Sequence, residues 1–227
     1  KIYMENLTLV IPAKNEKESL PQVLNELQKY KLKIIIVLER SDVETIKSLE
    51  GYNIKILYQD SKGYGDAIIK GINSVETKFF CIFNADGSFD PKELDNMMEK
   101  INVKDFDIVF GTRYEKDCSS EDDTYITYIG NFIFTLLGKI FFKLKVSDIL
   151  YTFVLAKSEK VQNLKLKSKN FVFCIELPIK ASRYGLKIAN SKSHERARIA
   201  GKKKVNAFID GMSILSGMIR FFFNKNL

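Results

Sequence analysis

Short apolar runs alternate with amphipathic segments along the first half of the chain. The apolar runs predict buried strands at residues 7–11, 33–38, 54–58, 79–83 and 107–110. Apolar residues at helical spacing predict intervening helices, including one with Ser19 as N-cap and Pro21 in its first turn, and others at 66–74 and 91–101. This alternation predicts an α/β fold with a mostly parallel, doubly wound, Rossmann-like sheet. Ligands bind such sheets beyond the carboxyl ends of the strands.

The second half of the chain carries two longer apolar and aromatic stretches, at residues 125–144 and 205–223. Basic residues flank them, including Lys203, Lys204 and Arg220. Two interpretations stay open: core helices with solvated charged ends, or amphipathic helices that lie on an anionic membrane. No uncharged stretch reaches the roughly 18 residues of a spanning helix. We therefore expect a cytoplasmic protein that is peripheral on the inner face of a membrane.

The charge and the cysteines restrict the possible partners. A net charge of +8 and a pI near 9.2 favour an anionic partner, which could be nucleic acid, a membrane or a phosphorylated small molecule. Cys81, Cys118 and Cys174 have no zinc-site spacing, which indicates reduced thiols. The chain begins without Met and ends directly after an apolar run, as a piece of a longer protein would.

The stretch from Asn84 to Ser88 follows the predicted strand at 79–83 and carries an acid in a turn with glycine. A carboxylate at this position can bind a hard cation, which in turn can bind a diphosphate. We predict a Mg or Mn site formed by Asp86, Asn84 and Ser88. Asn84 supplies a neutral oxygen and no charge, which weakens the site. The plainer alternative is a strand exit with an Asx cap.

Several blocks then occur in an order that resembles family 2 glycosyltransferases, which have the GT-A fold. They start with residues 10–16 (VIPAKNE) and 62–67 (KGYGDA) and continue with 84–91 (NADGSFDP) and 107–114 (DIVFGTRY). Gly130-Asn131, residues 146–148 and Glu195-Arg196 with the lysines after Gly201 resemble later blocks of the branch that contains dolichyl-phosphate mannose synthase. The resemblance covers nearly the whole chain. It implies one GT-A domain over residues 1–227, with a nucleotide-sugar-binding half to about residue 115 and an acceptor half from about residue 116.

The resemblance also implies a set of donor-binding residues. Glu39 stands where relatives have an acid that contacts the base, and Arg196 and Lys204 belong to a basic loop that closes over the donor phosphates. Each of these charged residues could instead be an ordinary solvated surface group. The implied donor-binding residues are Pro12, Asn15, Glu16, Glu39, Lys62, Gly63, Asp86, Arg196 and Lys204.

Two residues are candidates for catalysis. Arg113 is suited to clamp a phosphate, since guanidinium binds phosphate oxygens in pairs; otherwise it forms a surface ion pair. Asp148 could be a general base for a sugar hydroxyl or an orienting residue. Residues 151–154 (YTFV) replace the Gly and Arg that many relatives carry after this acid. Glu176 could be a buried, paired acid or a further candidate near the acceptor.

We therefore predict an inverting glycosyltransferase that uses a nucleotide-sugar and a divalent cation. The predicted acceptor is polyprenyl phosphate or another membrane-associated glycan precursor. One alternative is transfer to a sugar hydroxyl in surface polysaccharide synthesis, with Asp148 as base. Another is a non-catalytic, nucleotide-binding GT-A protein. This alternative is supported by departures from the family's pattern at Leu38, Asn84 and Val154. Nucleic acid fits the charge but not the motifs, so we expect no nucleic-acid partner.

Overall fold

The computed structural model describes residues 4–201 and 203–224, and its strands form two sheets. A two-stranded sheet pairs β6 (Ser119–Ser120) with β9 (His194–Glu195). The larger sheet contains seven strands. They are β1 (Leu7–Pro12), β2 (Lys33–Leu38), β3 (Lys55–Tyr58), β4 (Phe79–Ile82), β5 (Ile108–Thr112), β7 (Val154–Lys157) and β8 (Ile188–Lys192).

The strand order in the larger sheet is β3-β2-β1-β4-β7-β5-β8. All its pairs are parallel except those of β7, which lies antiparallel between β4 and β5. The five predicted strands and the mostly parallel sheet are confirmed. The sequence patterns missed β7 and β8, through which the second half of the chain joins the same sheet.

Helices cover both faces of this sheet. Leu20 and Leu24 of the first helix pack on one face together with Leu94, while Ile68 and Phe173 pack on the other face. The doubly wound architecture is therefore confirmed. The helices are α1 (Leu20–Leu27), α2 (Val43–Ser48), α3 (Tyr64–Asn73), α4 (Glu93–Asn102), α5 (Tyr125–Phe142), α6 (Ser158–Gln162), α7 (Phe173–Arg183) and α8 (Ala207–Phe223).

The start of α1 differs from its predicted capping. Ser19 occupies the N-cap position and Pro21 lies in the first turn, but the Ser19 side chain makes no capping hydrogen bond. Its hydroxyl donates instead to Oε2 of Glu16, at 2.6 Å. Ser19 is therefore the N-cap residue, as predicted, but its side chain orients an acid in the loop after β1 and does not cap the helix.

The helices α5 and α8 pack against each other with large apolar side chains on their outer faces. The inner face of α5 is small and polar, since its buried residues are Asn131, Thr135 and Gly138. On the outer faces, Phe132 is 60% exposed and Phe208 is 79% exposed. This burial pattern is opposite to that of a core helix.

By length and composition alone, the helix α5 is also long enough to cross a membrane, although Lys139 interrupts its uncharged stretch as the sequence indicated. Among the described residues it alone meets the length and composition criteria, with 18 residues and a mean hydropathy of 1.4. The expectation required an uncharged stretch, whereas this helix contains Lys139 near its end. Only 17% of the helix is buried.

Candidate active site

Acidic side chains from several strand ends meet in one cavity of about 730 Å³. Glu16 follows β1, Glu39 follows β2 and Asp86 follows β4, and all three line the cavity. Pro12 and Gly63 line it as well. The carboxyl edge of the sheet therefore brings together residues that the sequence places far apart.

The turn from Asn84 to Ser88 holds one carboxylate in a defined orientation. Oδ1 of Asp86 accepts hydrogen bonds from the backbone N–H and the hydroxyl of Ser88, at 3.0 and 2.7 Å. Nδ2 of Asn84 donates to the same hydroxyl, at 3.1 Å. Ser88 is buried and orients the side chains of Asn84 and Asp86. The second oxygen of Asp86, Oδ2, faces Arg198, whose side chain lines the cavity.

The side-chain oxygens of Asp86 and Asn84 suit a cation whose other ligands are water and substrate oxygens. Mg²⁺ in proteins is often bound by one or two carboxylates, with water and substrate phosphates completing the shell. Asp86 offers one carboxylate and Asn84 one amide oxygen. No group of three His, Cys, Asp or Glu side chains in the described ranges could hold a metal. The donor set fits a cation that arrives with a diphosphate better than a permanently bound metal.

The segment after β9 lies against this turn. Arg196 N–H donates to Ser88 O and Ile199 N–H donates to Asp86 O, each at 2.8 Å. Gly87 has a φ of +84° and touches Ile199, so that a Cβ on Gly87 would lie 2.4 Å from its Cδ1. The two segments are therefore fixed to each other through both backbone and side-chain contacts.

Arg196 supports the turn and does not point to a phosphate site. Its guanidinium donates to both carboxylate oxygens of Glu26, to Gly87 O and to Phe89 O. All these partners are protein groups, and a donor-binding role for Arg196 stays a prediction. The geometry is that of a residue that positions the turn from Asn84 to Ser88.

Arg198, which the sequence reasoning missed, lies beside Asp86 in the turn from Asn84 to Ser88. Its guanidinium makes two hydrogen bonds to Asp122, at 3.1 and 3.0 Å, and lies 3.6 Å from Oδ2 of Asp86. Lys203 also pairs with Asp122, and Lys204 pairs with Glu16. Burial alone would raise the pKa of Asp122, but Arg198 and Lys203 lower it overall. The one sequence signal for Arg198 was its place in the basic stretch after β9, in which Lys202 lies outside the described residues.

Arg113 is the centre of a buried ion-pair network. Its Nε and Nη2 donate to the two oxygens of Asp148, at 2.8 and 3.1 Å, and Nη1 donates to Glu195 at 2.9 Å. Burial tends to lower the pKa of Arg113, but Asp148 raises it well above its ordinary value. Burial raises the pKa of Asp148, and Arg113 opposes this. Asp148 is fully buried and both its oxygens are used, which suits an orienting residue better than a free base.

Asp123 is a further carboxylate in this part of the cavity. It lies 3.7 Å from Nη1 of Arg113, and its side chain is 10% exposed. Tyr114 and Thr127 each donate a hydrogen bond to it. Sequence reasoning missed Asp123 because a single acid before α5 carries no motif.

The loop that contains Lys62 and Gly63 is held by buried polar contacts. Asp66 accepts hydrogen bonds from the N–H groups of Asp60 and Ser61 and from the Ser61 hydroxyl. Gly63 has a φ of +130°, and a Cβ there would lie 2.1 Å from Lys169 O. Lys62 itself is exposed. The glycine allows the close approach of this loop to residues 168–170.

Glu176 supports the other side of this contact. It is buried, accepts hydrogen bonds from Lys167 and Ser168 N–H, and pairs with Lys180 at 2.9 Å. Of the two interpretations left open by the sequence, the structure therefore supports the buried, paired acid.

One end of the cavity lies at Glu39. Lys14 Nζ donates to its carboxylate, at 3.0 Å, and both side chains line the cavity. Asn15 is exposed, has a φ of +51° and donates its N–H to Asp42. Asn15 therefore shapes the loop after β1.

The opposite end of the cavity is largely apolar. Tyr151, in the segment that departs from the relatives' pattern, packs its buried ring under Arg113, with the guanidinium carbon 4.5 Å from the ring centroid. Beyond it the cavity continues between α5, α7 and α8. Its apolar lining there includes Ile126, Ile129, Ile133, Phe134, Leu150, Phe171 and Ile214.

Comparison with known proteins agrees with this fold and this site. Residues 8–164 match the profile of Glycosyl transferase family 2, and the chain belongs to this family. An uncharacterized glycosyltransferase of Mycobacterium tuberculosis is 25% identical over 209 residues, which is 92% of this chain and 93% of that protein. The protein is thus a glycosyltransferase by family, as its motifs indicated.

Two solved structures have the same overall fold. Glucosyl-3-phosphoglycerate synthase from Mycobacterium tuberculosis, in complex with Mn²⁺, UDP and phosphoglyceric acid, has a TM-score of 0.73 at 13% identity, covering 95% of this chain and 78% of that one. Mannosyl-3-phosphoglycerate synthase from Rubrobacter xylanophilus has a TM-score of 0.73 at 14% identity, covering 94% and 72%. These similarities confirm the GT-A fold. The Mn²⁺ in the first structure agrees with the predicted use of a divalent cation.

Proposed function

We propose that the protein is an inverting glycosyltransferase that moves a sugar from a nucleotide-sugar to polyprenyl phosphate or another membrane-associated glycan precursor. It would act at the cytoplasmic face of a membrane as a peripheral protein. The single observation that supports this best is the shape of the cavity, which runs from the acids at the strand ends into an apolar groove between α5, α7 and α8.

The donor would bind at the acidic end of the cavity. Glu39 can accept a hydrogen bond from a base N–H, and the adjacent Lys14 can donate to a base carbonyl. Asp86 and Asn84 would hold Mg²⁺ or Mn²⁺, which neutralises the diphosphate leaving group. Ser88 and Arg196 keep the turn in place, so that Asp86 needs little reorganisation when the donor binds.

The acceptor would enter from the apolar end. The glucosyl-3-phosphoglycerate synthase binds phosphoglyceric acid, a small phosphorylated acid. An acceptor of this kind would leave the apolar lining around Ile129 and Phe134 uncovered. A polyprenyl chain would bury that lining. The exposed apolar faces of α5 and α8 border the same groove, and Lys139, Lys143 and Arg220 are exposed basic residues on or next to these helices. Such a surface suits an anionic bilayer.

A phosphate acceptor is already a nucleophile and needs no base. This agrees with Asp148, whose two oxygens both accept hydrogen bonds from Arg113. A sugar hydroxyl on a membrane-associated glycan is the second candidate acceptor. Asp123 favours it, because its carboxylate lines the cavity next to Arg113 and its side chain is 10% exposed, whereas that of Asp148 is fully buried. Its two oxygens accept hydrogen bonds from Tyr114 and Thr127, so one of these bonds would have to yield for Asp123 to accept the hydroxyl proton.

The test is a transfer assay with a panel of nucleotide-sugars and Mn²⁺, offering short-chain polyprenyl phosphates, glycan acceptors or 3-phosphoglycerate. We expect transfer to the lipid. Gly130→Phe is designed to narrow the groove: Gly130 lines it, lies within α5, and a Cβ there would meet no atom within 4 Å. This variant should lose transfer to the lipid and keep nucleotide binding, whereas Gly130→Ala should keep both.

The outcomes separate the candidates. Transfer to 3-phosphoglycerate that is unaffected by Gly130→Phe would reject the lipid acceptor. Transfer to a glycan that is lost in Asp123→Asn would support the hydroxyl acceptor. Nucleotide binding without transfer or hydrolysis for any donor would support a non-catalytic protein.

A further inference from the structure

One buried oxygen in the cavity wall has no hydrogen-bond partner among the described residues. Five buried side-chain N or O atoms in this part of the chain lack such a partner, and of the residues that carry them only Asn131 lines the cavity. The atom is Oδ1 of Asn131, which is 5% exposed and lies on the inner face of α5. Burying a polar group without a partner costs free energy, so a ligand that donates a hydrogen bond to Oδ1 gains affinity from it.

The neighbouring groups determine which way the Asn131 amide faces. Tyr114 Oη donates its only proton to Asp123, because a carboxylate can accept hydrogen bonds but cannot donate them. Burial raises the pKa of Tyr114, so this proton stays on the phenol. Tyr114 Oη must therefore accept a hydrogen bond from Asn131, and Nδ2 of Asn131 donates to it at 3.1 Å. The carbonyl oxygen, Oδ1, is thus the half of the amide that faces away from Tyr114.

The other members of this network already have their partners. The Thr127 hydroxyl donates to Oδ1 of Asp123 at 2.7 Å, while Tyr114 donates to Oδ2. Arg113, 3.7 Å from Asp123, donates to two other carboxylates. The chain of hydrogen bonds that starts at Thr127 therefore ends at Oδ1 of Asn131.

An acceptor oxygen in this place selects among ligand groups. A carbonyl oxygen binds an O–H or N–H group, whereas a phosphate at neutral pH offers mainly acceptor oxygens. Sugars carry several hydroxyls, and N-acetylated sugars also carry an amide N–H. Asn131 lies between the charged groups at Asp123 and the apolar lining at Phe134, which belongs to the same helix. A sugar on its way from donor to acceptor would pass this point of the cavity.

We propose that Asn131 is a specificity-determining residue whose Oδ1 accepts a hydrogen bond from a hydroxyl or amide N–H of a sugar. That sugar is either the one carried by the nucleotide-sugar or a sugar of the acceptor. The inference rests on the proposed transfer of a sugar. It adds a contact to the sugar itself, separate from the groups that would hold the base, the diphosphate and the cation.

The experiment compares wild type with Asn131→Leu, which keeps the branched shape of the side chain and removes its polar atoms. Calorimetry with Mn²⁺ measures the binding of UDP, UDP-glucose, UDP-N-acetylglucosamine, GDP and GDP-mannose. If Oδ1 binds the donor sugar, the variant should bind the preferred nucleotide-sugar about fivefold more weakly, or worse, and the parent nucleoside diphosphate equally well.

Deoxy analogues of the preferred nucleotide-sugar identify the hydroxyl that is recognised. The analogue without that hydroxyl should bind wild type more weakly by a similar factor. In Asn131→Leu the same analogue should bind as well as the complete nucleotide-sugar, because the partner of the hydroxyl is already absent.

Thr135→Val is the matched control. Thr135 is a buried polar residue one turn further along the same face of α5, and its hydroxyl accepts a hydrogen bond from Ile149 N–H. In the described part of the chain it lies outside the lining of the cavity. We expect this variant to lose thermal stability and to keep the ratio of the affinities for nucleotide-sugar and nucleotide.

A sugar of the acceptor gives a different result. Asn131→Leu should then leave nucleotide-sugar binding unchanged and raise the KM for the glycan acceptor about fivefold or more in the transfer assay. Equal weakening of nucleoside diphosphate and nucleotide-sugar would contradict the inference, because it indicates general damage to the site. Unchanged donor affinity together with an unchanged acceptor KM would contradict it as well.

Failure of the proposed function is a separate outcome. If the wild type binds no nucleotide and no nucleotide-sugar, the proposed function is wrong. Saturation-transfer NMR with free glucose, mannose and N-acetylglucosamine then still tests Asn131. A sugar signal that is lost in Asn131→Leu and kept in Thr135→Val would support the inference, and an equal signal in both, or none in wild type, would overturn it.

Discussion

Arg196 donates two parallel hydrogen bonds to the carboxylate of Glu26, each at 3.0 Å, and so joins the segment after β9 to α1. The same guanidinium donates to Gly87 O, in the turn from Asn84 to Ser88, and to Phe89 O just after it. The side chains of Arg196 and Glu26 are each 29% exposed, which limits solvent screening of this pair. The side chain of Arg196 thus connects α1, the segment after β9 and the backbone at residues 87–89.

Breaking this pair should cost both stability and donor binding. We expect Glu26→Gln to lower the free energy of unfolding by about 1–2 kcal/mol, since bidentate charged pairs are stronger than simple surface pairs. Urea denaturation measures this, and the affinity for Mn²⁺-nucleotide should fall as well. Lys17→Gln breaks the exposed pair with Glu44 and should leave the free energy of unfolding nearly unchanged, because solvent screens this pair. Equal effects of the two variants would contradict the positioning role.

Asp148→Asn should behave as the loss of a buried ion-pair partner. Arg113 would stay buried with one of its main partners neutral, and such losses cost about 3–5 kcal/mol. We expect a large drop in the free energy of unfolding, measured by chemical denaturation, together with loss of activity. A free catalytic base would instead lose activity at nearly unchanged stability. Asp117→Asn, at an exposed pair with Lys192, is the matched control.

Gly63→Ala should disturb the loop next to the donor site. The new Cβ would lie 2.1 Å from Lys169 O, and the φ of +130° is unfavourable for alanine. We expect a loss of about 2 kcal/mol or more in unfolding free energy, with weaker nucleotide binding by thermal shift. Gly130→Ala, in the open middle of α5, should instead stabilise the protein by up to about 1 kcal/mol. A neutral Gly63→Ala would show that this loop can move away from residues 168–170.

The outer faces of α5 and α8 should bind anionic vesicles. The double variant Phe132→Ser with Phe208→Ser removes exposed rings, so we expect weaker sedimentation with phosphatidylserine vesicles at nearly unchanged stability. Val103→Ser removes an apolar side chain that is 68% exposed, beyond the end of α4, and should have no effect on vesicle binding. Dimers that dissociate in the double variant, without any vesicle binding by wild type, would instead assign this face to a second copy of the chain.

The unfolding free energy should also depend on pH through Asp105. Hydrogen bonds from Lys187 and Lys157 lower its pKa from 3.8 to about 2. The folded protein therefore binds this proton more weakly than the unfolded chain does, so the contribution is present above about pH 4 and is lost as the pH falls towards 2. Asp105→Asn should be less stable than wild type at pH 6 and equally stable near pH 2.

The parts of the fold that the sequence predicted are those in which one physical signal dominates. Buried parallel strands such as β1 and β4 are continuous apolar runs, and they were found within one or two residues. β8 was not predicted because it mixes polar and apolar residues and lies at the edge of the sheet, where only its Ser191 is buried. β7 begins at Val154, in a segment that was compared only with the relatives' motif.

The candidate site shows a similar limit. Motifs indicated which residues lie at the strand ends, including Glu16 and Asp86. They could not show how ion pairs distribute the charges, because pairing depends on residues that are distant in the sequence. Arg113 and Arg196 were expected to contact phosphates, yet their guanidinium groups bind carboxylates and carbonyls of the protein. Arg198, with no motif of its own, is the arginine beside Asp86.

The antiparallel strand β7 has one more consequence. It separates β4 from β5 in the sheet, so the turn with Asp86 and the end of β5 before Arg113 lie two strand spacings apart, or about 10 Å. Because β7 runs in the opposite direction, the residues just before it, including Tyr151, line the cavity at the same edge of the sheet. In the proposed reaction, this strand spacing would set the distance between the leaving diphosphate and the incoming acceptor, and the residues just before β7 would lie beneath the sugar.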